Sequence, residues 1–496
     1  MPGTTSTGPG SPDAEAAAAA HPRRWVALAV IAVAQLMVVL DATIVNIALP
    51  QAQADLAITD ADRQWVVTAY TLTFGGLLLL GGRIADYWGR KRTFLVGMAG
   101  FALASAVGGL ATSGGMLFAA RALQGAFGAL LAPASLALLT VLFTETRERA
   151  KAFAVYGAIA GGGSAVGLLL GGVLTEYADW RWCLLVNIPI AAVALAAAIP
   201  LVPESRAHGD TRYDVPGALV VTAGLVSLVY GFTRAAEHGW KATATITFIV
   251  VGVALLATFV LIELRSRHPL LPMRILLDRN RGGAYLASTL IGAGLFGAFL
   301  FLTFYFQVVL RYTPLEAGLA SLPVTAGVLL AAGGASQLLP RVGAKPLMVG
   351  GAALAALGML VLTQVHVDTS FVTHLLPAQV VLGLGLGFTF VPLSSLALYA
   401  VPEHDAGAAS ATLNATQQVG GSLGTALLNT MYTSAVTGYL ATRVPGPATQ
   451  VRALVHGYSV AFAWGAGLIL LSGLTTLILI KVHRQDVPAG GAVHMG

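Results

Sequence analysis

Apolar residues gather in this chain into runs of about 18 or more, long enough to cross a bilayer as helices, with short polar breaks between them. Fourteen such runs lie near 25–49, 64–82, 93–111, 116–143, 152–174, 182–202, 215–233, 242–262, 283–308, 318–339, 346–365, 373–400, 408–434 and 453–480. The pattern predicts an all-α membrane protein of fourteen spans. The first run, WVALAVIAVAQLMVVLDATIVNIAL, is too long for the apolar core of a signal peptide, and no small-residue cleavage site follows Pro50. It is expected to stay in the mature protein.

The breaks repeat as the runs do. The segment GGRIADYWGRKRTFLVG, from Gly81 to Gly97, is answered by SQLLPRVGAKPLMVG between the tenth and eleventh runs, where Gly343 matches Gly89 at an offset of 254. The GGGSAVG of the fifth run (Gly161–Gly167) is answered by VGGSLG in the thirteenth (Val419–Gly424), at an offset of 257. Two matches at nearly one offset imply two parallel repeats of six spans, an arrangement in which the substrate path lies at the repeat interface. The seventh and eighth runs are left over in the middle. The expected organisation is a disordered tail over 1–24, a six-helix bundle over 25–202, a linker with two extra spans over 203–281, a second bundle over 282–480 and a tail over 481–496.

Composition agrees with a polytopic membrane protein: 56% of residues are hydrophobic and 10% charged, with a mean hydropathy of +0.78. The formal charge is +6, but its placement says more. With the termini inside, inner segments hold 20 of the 28 Lys and Arg residues and outer loops 7, Arg121 alone lying within a span. That asymmetry places both termini in the cytoplasm. The single Cys183 excludes an internal disulfide, and no Cys/His cluster has metal-ligand spacing. The preponderance of Arg over Lys suggests a bacterial source.

Two charges stand out because they fall inside runs. Asp41 and Arg121 lie about eight and five residues below the outer ends of the first and fourth spans, a depth of roughly 7–12 Å for both at ~1.5 Å per residue. An intramembrane carboxylate costs about 2.5–3.5 kcal/mol on insertion scales and marks a functional position by default. Opposite charges at matched depth are expected to pair, with Gln124 one turn from Arg121 as an amide neighbour. A proton and a cation competing for Asp41 would give exchange transport; the other reading is a static pair that holds two helices in register. The basic segment containing Gly82, Asp86, Gly89, Arg90 and Lys91 reads as a tight turn with an acid placed to pair with Arg90. Gly163, Gly167 and Gly171 recur every four residues and form either a sliding face or a close-packing face. Asn46, Gln124, Phe299, Gln307, Asn414, Gln417 and Gln418 are candidates for lining a substrate path.

These motifs together resemble the major facilitator superfamily, and within it the fourteen-span drug:proton antiporter branch of bacterial multidrug efflux transporters. LDATIVNIALP (Leu40–Pro50) resembles the first-span signature of that branch, and GRIADYWGRK the loop motif of the superfamily, with Ile84 and Tyr87 where Leu and Arg are usual. RALQG resembles the fourth-span motif, WRWCLLVNIPI (Trp180–Ile190) the start of the sixth span, and HPLLPMRILL (His268–Leu277) the loop after the extra pair. Two departures matter. Gly167 is followed by Leu168 where the fifth-span motif usually has Pro, and AGVLL (Ala326–Leu330) lacks the tenth-span acid of some relatives.

The resemblance implies two six-helix bundles plus two extra central helices, and a proton-coupled exporter of hydrophobic or cationic drugs, antibiotics or secondary metabolites across the bacterial inner membrane. The alternative is proton-coupled uptake of a small organic solute. Asp41 would carry the proton and Arg121 modulate it, and the turn around Asp86 would act as a cytoplasmic gate. No cofactor and no metal is expected, since no phosphate-binding loop occurs and the drive is the proton gradient. The expected partners are protons, the small-molecule substrate and the lipid bilayer, with no nucleic acid, and the chain is expected to act as a monomer. An enzyme or ring-charged channel would need more buried polar chemistry than two charges supply.

Overall fold

A computed structural model describes residues 12–143, 145–206, 214–266, 269, 273–397, 401, 406–444 and 446–481. Among these residues every regular element is helical. The first bundle comprises α1 (Pro12–Asp55), α2 (Trp65–Trp88), α3 (Arg90–Gly109), α4 (Gly114–Leu142), α5 (Thr146–Tyr177) and the short α6 (Trp182–Leu185) leading into α7 (Asn187–Leu201). The middle pair is α8 (Val215–His238) and α9 (Thr243–Arg265), followed by the short α10 (Met273–Leu276). The second bundle comprises α11 (Arg279–Phe304), α12 (Pro314–Val342), α13 (Ala344–Leu362), α14 (Leu376–Ala397), α15 (Ala406–Ala441) and α16 (Pro447–Leu479). π-helical turns over Tyr305–Val309 and Phe371–Leu375 continue α11 and lead into α14.

Among the described residues twelve helices are long and apolar enough to cross a membrane, against fourteen expected from the sequence. The expected spans 152–174 and 408–434 fall on α5 and α15, helices of 32 and 36 residues that include positions outside the described side chains. The proposed tail differs as well. α1 reaches back to Pro12, because the alanine run Ala16–Ala20 has the strongest intrinsic preference for helix; residues 1–11 and 482–496 lie outside the described set. Leu103, Val193 and Leu330, on three different helices, are 69%, 72% and 72% exposed, which a lipid-facing surface accommodates and a water-facing one would disfavour.

Small residues set how the helices approach one another. A Cβ on Gly81 would overlap the Ala129 carbonyl, and one on Gly125 would overlap Thr73 Oγ1 and the Tyr70 carbonyl, so α2 and α4 touch backbone to backbone. The two bundles repeat this design. Gly163, Gly167 and Gly171 of α5 seat against Leu36, Val39, Leu40, Thr43 and Ile44 of α1, and Gly420 and Gly424 of α15 seat against Thr289 and Ala293 of α11. Gly89 and Gly343, matched in the sequence, have φ of +124° and +91° at the α2–α3 and α12–α13 hinges. A side chain would be strained at both positions, so the glycine match is a backbone requirement.

The ends of the molecule differ. The α2–α3 hinge, the start of α1 and the end of α16 share one end, the hinge end; the α1–α2 turn marks the far end. Hydrogen bonds between the bundles among the described residues lie toward the far end. Thr71 and Ser422 hydroxyls are 2.6 Å apart, Gln307 Nε2 donates to the Ile47 carbonyl at 2.9 Å, and Leu315 N donates to Glu176 Oε2 at 3.0 Å. The middle pair sits across the α2–α15 seam, where Gln64 Nε2 donates to Thr233 Oγ1 at 2.7 Å and Thr430 Oγ1 to the Phe232 carbonyl at 2.8 Å.

The helix contacts make one substitution diagnostic. Gly81→Leu is expected to force α2 from α4 and cost about 1–3 kcal/mol or more, as overpacking does. Gly115→Leu, at a position with nothing within 4 Å of its Cβ, should leave thermal unfolding of the detergent-solubilised protein near that of the parent.

Candidate functional site

Asp41 sits where α1 passes four other helices, and every group around it is placed by a helix of the first bundle. From α4, Arg121 Nη1 donates to Asp41 Oδ2 at 2.6 Å. One turn on, Gln124 Nε2 donates to Asp41 Oδ1 at 2.9 Å, while its Oε1 accepts from Arg121 Nη1 at 3.0 Å. From α7, Asn187 Nδ2 donates to the same Oδ1 at 2.9 Å and to Ser105 Oγ of α3 at 3.0 Å. From α2, the Val66 carbonyl accepts from Arg121 Nε at 2.9 Å, and the Tyr70 ring lies 4.4 Å from the guanidinium carbon.

The five polar side chains are sealed: Asp41, Gln124, Ser105 and Asn187 are fully buried and Arg121 is 1% exposed. A carboxylate in so dry a place needs an opposite charge and hydrogen bonds to stay ionised. Here it has three donors, two on Oδ1 and one on Oδ2. Arg121 is anchored separately by a carbonyl and an aromatic face, so it keeps partners of its own if the carboxylate changes charge.

The depth argument paired Asp41 with Arg121, and the structure brings them into direct contact. Gln124 belongs to this network and is fully buried, so it does not line an open path here. Asn187 and Ser105 were missed. An amide at position 187 in an otherwise apolar run was a signal of the same kind as Asp41; a lone serine on α3 carried none.

At the hinge end, Arg90 Nη2 and Asp86 Oδ1 pair at 3.0 Å, as the spacing suggested. Further partners come from the end of α7 and the chain just after it, and from Pro269, whose carbonyl accepts from Arg83 Nη2 at 3.2 Å. Arg90 N donates to the Ser205 carbonyl at 2.9 Å, Lys91 N to Glu204 Oε1 at 3.3 Å, and Lys91 Nζ to the Ile199 carbonyl at 2.6 Å. A Cβ on Gly89 would lie 2.6 Å from Glu204 Oε1, so that glycine is required twice over. A Cβ on Gly82 would stand 3.6 Å from Pro133 Cβ of α4, an ordinary contact.

The glycine face lies within the first bundle. Gly163, Gly167 and Gly171 pack on α1, beside Asp41, an arrangement of the close-packing kind. The close approach between bundles is made instead by Gly172 against Pro314 and Leu315, and by Gly318 against Leu168 and Leu169. A four-residue glycine period fixes that a helix comes close; which helix comes close depends on how α5 is turned.

The remaining path candidates lie on α1, on α11 with its π-helical turn, and on α15. Asn46 and Phe299 are half-buried, with Asn46 Nδ2 donating back to the Ala42 carbonyl at 3.4 Å. Gln307 ties α11 to α1 through the Ile47 carbonyl. Asn414 is exposed and donates to the Ser410 carbonyl at 3.2 Å, Gln417 is half-buried beside α11, and Gln418 lies in the α2–α15 seam against Gly75. Among the described residues no group of three or more His, Cys, Asp and Glu side chains could hold a metal ion.

Residues 31–425 match the sequence profile of the Major Facilitator Superfamily. The chain is 51% identical to the puromycin resistance protein of Streptomyces alboniger over 474 residues, 95% of this chain and 94% of that one. It is 39% identical to the cephamycin export protein of Amycolatopsis lactamdurans, over 95% of each. Among solved structures, the inward-facing, unoccupied form of a bacterial homologue of the human lysosomal transporter Spinster superposes with a TM-score of 0.64 at 15% identity, covering 93% of this chain and 99% of that one.

The network predicts coupling between its charges. Arg121→Leu leaves a buried carboxylate unpaired and is expected to cost about 3–5 kcal/mol. Adding Asp41→Asn should recover part of that loss, because the neutral amide no longer needs the cation. Thermal unfolding of the two single variants and the double variant checks this; purely additive effects would contradict a coupled pair.

Proposed function

Since the chain belongs to the major facilitator superfamily and is a transport protein rather than an enzyme, we propose that it exports antibiotics or related hydrophobic or cationic compounds in exchange for protons. The observation that carries this reading is Asp41, a fully buried carboxylate held by Arg121. The names of the relatives, one a resistance protein for puromycin and one an exporter of cephamycin, favour export over uptake and an antibiotic as the solute.

In this reading α5 and α15 complete fourteen spans, and the lysine and arginine bias sets the hinge end and both termini in the cytoplasm of a bacterial inner membrane. The described conformation, with its inter-bundle hydrogen bonds toward the far end, then faces the cytoplasm. The working unit is a monomer that uses no cofactor.

The coupling step runs through α1. A proton on Asp41 discharges the ion pair with Arg121 and weakens the donors on both carboxylate oxygens. Leu40 and Thr43, flanking Asp41, are the residues on which Gly167 of α5 rests. A shift of α1 is therefore felt by α5, where the buried Gly172, next to Gly171, meets α12 of the other bundle. Protonation at one site biases a seam between two rigid bundles, which is what alternating access requires. Asp86, Gly89, Arg90 and Lys91 hold the hinge end of the first bundle together as a unit.

Everted membrane vesicles test the reading directly. A substrate dye should accumulate inside them on energisation, a protonophore should abolish the accumulation, and Asp41→Asn should abolish it while leaving the protein inserted. Undiminished uptake by Asp41→Asn vesicles would remove Asp41 from the coupling step.

A further inference from the structure

Arg63 lies in the turn between α1 and α2, at the far end of the first bundle, yet its side chain is only 2% exposed. It leaves its own bundle and enters the second. Its guanidinium carbon stands 4.1 Å from the Phe304 ring centre, 4.6 Å from Tyr432 and 6.0 Å from Phe301. Tyr458 closes the box, 4.9 Å from Tyr432 and 6.2 Å from Phe301 between ring centres. The four rings come from α11, α15 and α16, all of the second bundle.

The cation is held with few hydrogen bonds. Arg63 Nη1 reaches Asp60 Oδ1 at 3.5 Å, and that carboxylate is itself 51% exposed. Arg63 Nε and Nη2 meet no acceptor at hydrogen-bond distance among the described residues. What surrounds the charge is aromatic surface, whose faces attract cations, most strongly when water is excluded. The rings pack on one another and not only on Arg63, so the box belongs to the second bundle rather than to its guest. Asn429 Nδ2, donating to the Asp60 carbonyl at 2.9 Å, holds the incoming turn in place.

We infer that this aromatic box is a binding site for organic monocations, quaternary ammonium or protonated amine, occupied in this conformation by the chain's own Arg63. The inference rests on the export reading, since it uses the parting of the bundles at the far end. Arg63 is carried by one bundle and the box by the other, so any such parting withdraws the guanidinium and presents four aromatic faces to the opened space. A cationic solute leaving through that space meets the box. Return of Arg63 displaces the solute and closes the far end, which makes the guanidinium both latch and competitor.

The test is equilibrium binding to the full-length protein in lipid nanodiscs, with no gradient and no transport. The probes are choline and its neutral isostere 3,3-dimethylbutanol. Arg63→Ala is expected to bind choline about tenfold more tightly than the parent and to show no gain for the isostere. Adding Phe304→Leu and Tyr432→Leu to Arg63→Ala should return choline binding to the parent level, and Arg63→Lys, which keeps a captive cation, should match the parent. Arg63→Gln, neutral and of similar reach, is measured in parallel and should shift in the same direction as Arg63→Ala, so that a folding defect in one does not decide the matter. No gain for choline in a folded neutral variant, or an equal gain for the isostere, overturns the inference. Failure of proton-driven efflux leaves this binding result standing, and a negative choline result leaves the Asp41 reading standing.

Discussion

A fully buried ion pair has to be supported on every side, and in this protein that requirement organises the first bundle. Asp41 and Arg121 are out of reach of water, where their desolvation is repaid only by close pairing and added hydrogen bonds. Supplying these takes Gln124 from α4, Asn187 from α7, the Val66 carbonyl and Tyr70 ring from α2, and Ser105 behind them from α3. Five helices are tied to one carboxylate. A change in its charge is therefore a change in how those helices hold together.

The second constraint is distance. Helices that meet backbone to backbone have no soft side chains between them, so they move as blocks or not at all. Gly81 and Gly125 lock α2 to α4, the Gly163 series locks α5 to α1, and Gly420 and Gly424 lock α15 to α11. Each bundle is closely knit within itself. The seams carry hydrogen bonds such as Thr71 to Ser422 and Gln307 to Ile47, the close Gly172 and Gly318 contacts, and one arginine in an aromatic box.

Arg121 and Arg63, the buried arginines among the described residues, use the same physics for different ends. Arg121 has a counter-charge within its own bundle and an aromatic face beneath it. Arg63 has aromatic faces in the opposite bundle and only a distant, half-exposed carboxylate. Both guanidiniums are permanently charged, and Arg121 is held by its pairing with Asp41. Arg63 can only be moved.

The sequence by itself determined the features that depend on transfer from water and on local backbone geometry. Long apolar runs, the cost of Asp41 within one of them, the basic hinge, and the need for glycine at 89 and 343 are properties of each stretch taken alone. The internal repeat was legible for the same reason, since each copy must solve the same hinge and the same close contact. Matched depth even anticipated the Asp41–Arg121 contact. Tertiary structure alone decided which surfaces those helices offer one another. The Gly163 series turned toward α1, Gln124 turned inward, Asn187 and Ser105 arrived from distant helices, and Arg63 crossed into the second bundle. Helix rotation and the identity of a neighbour are set by the packing of all the helices together, and no local pattern of polar and apolar residues contains them.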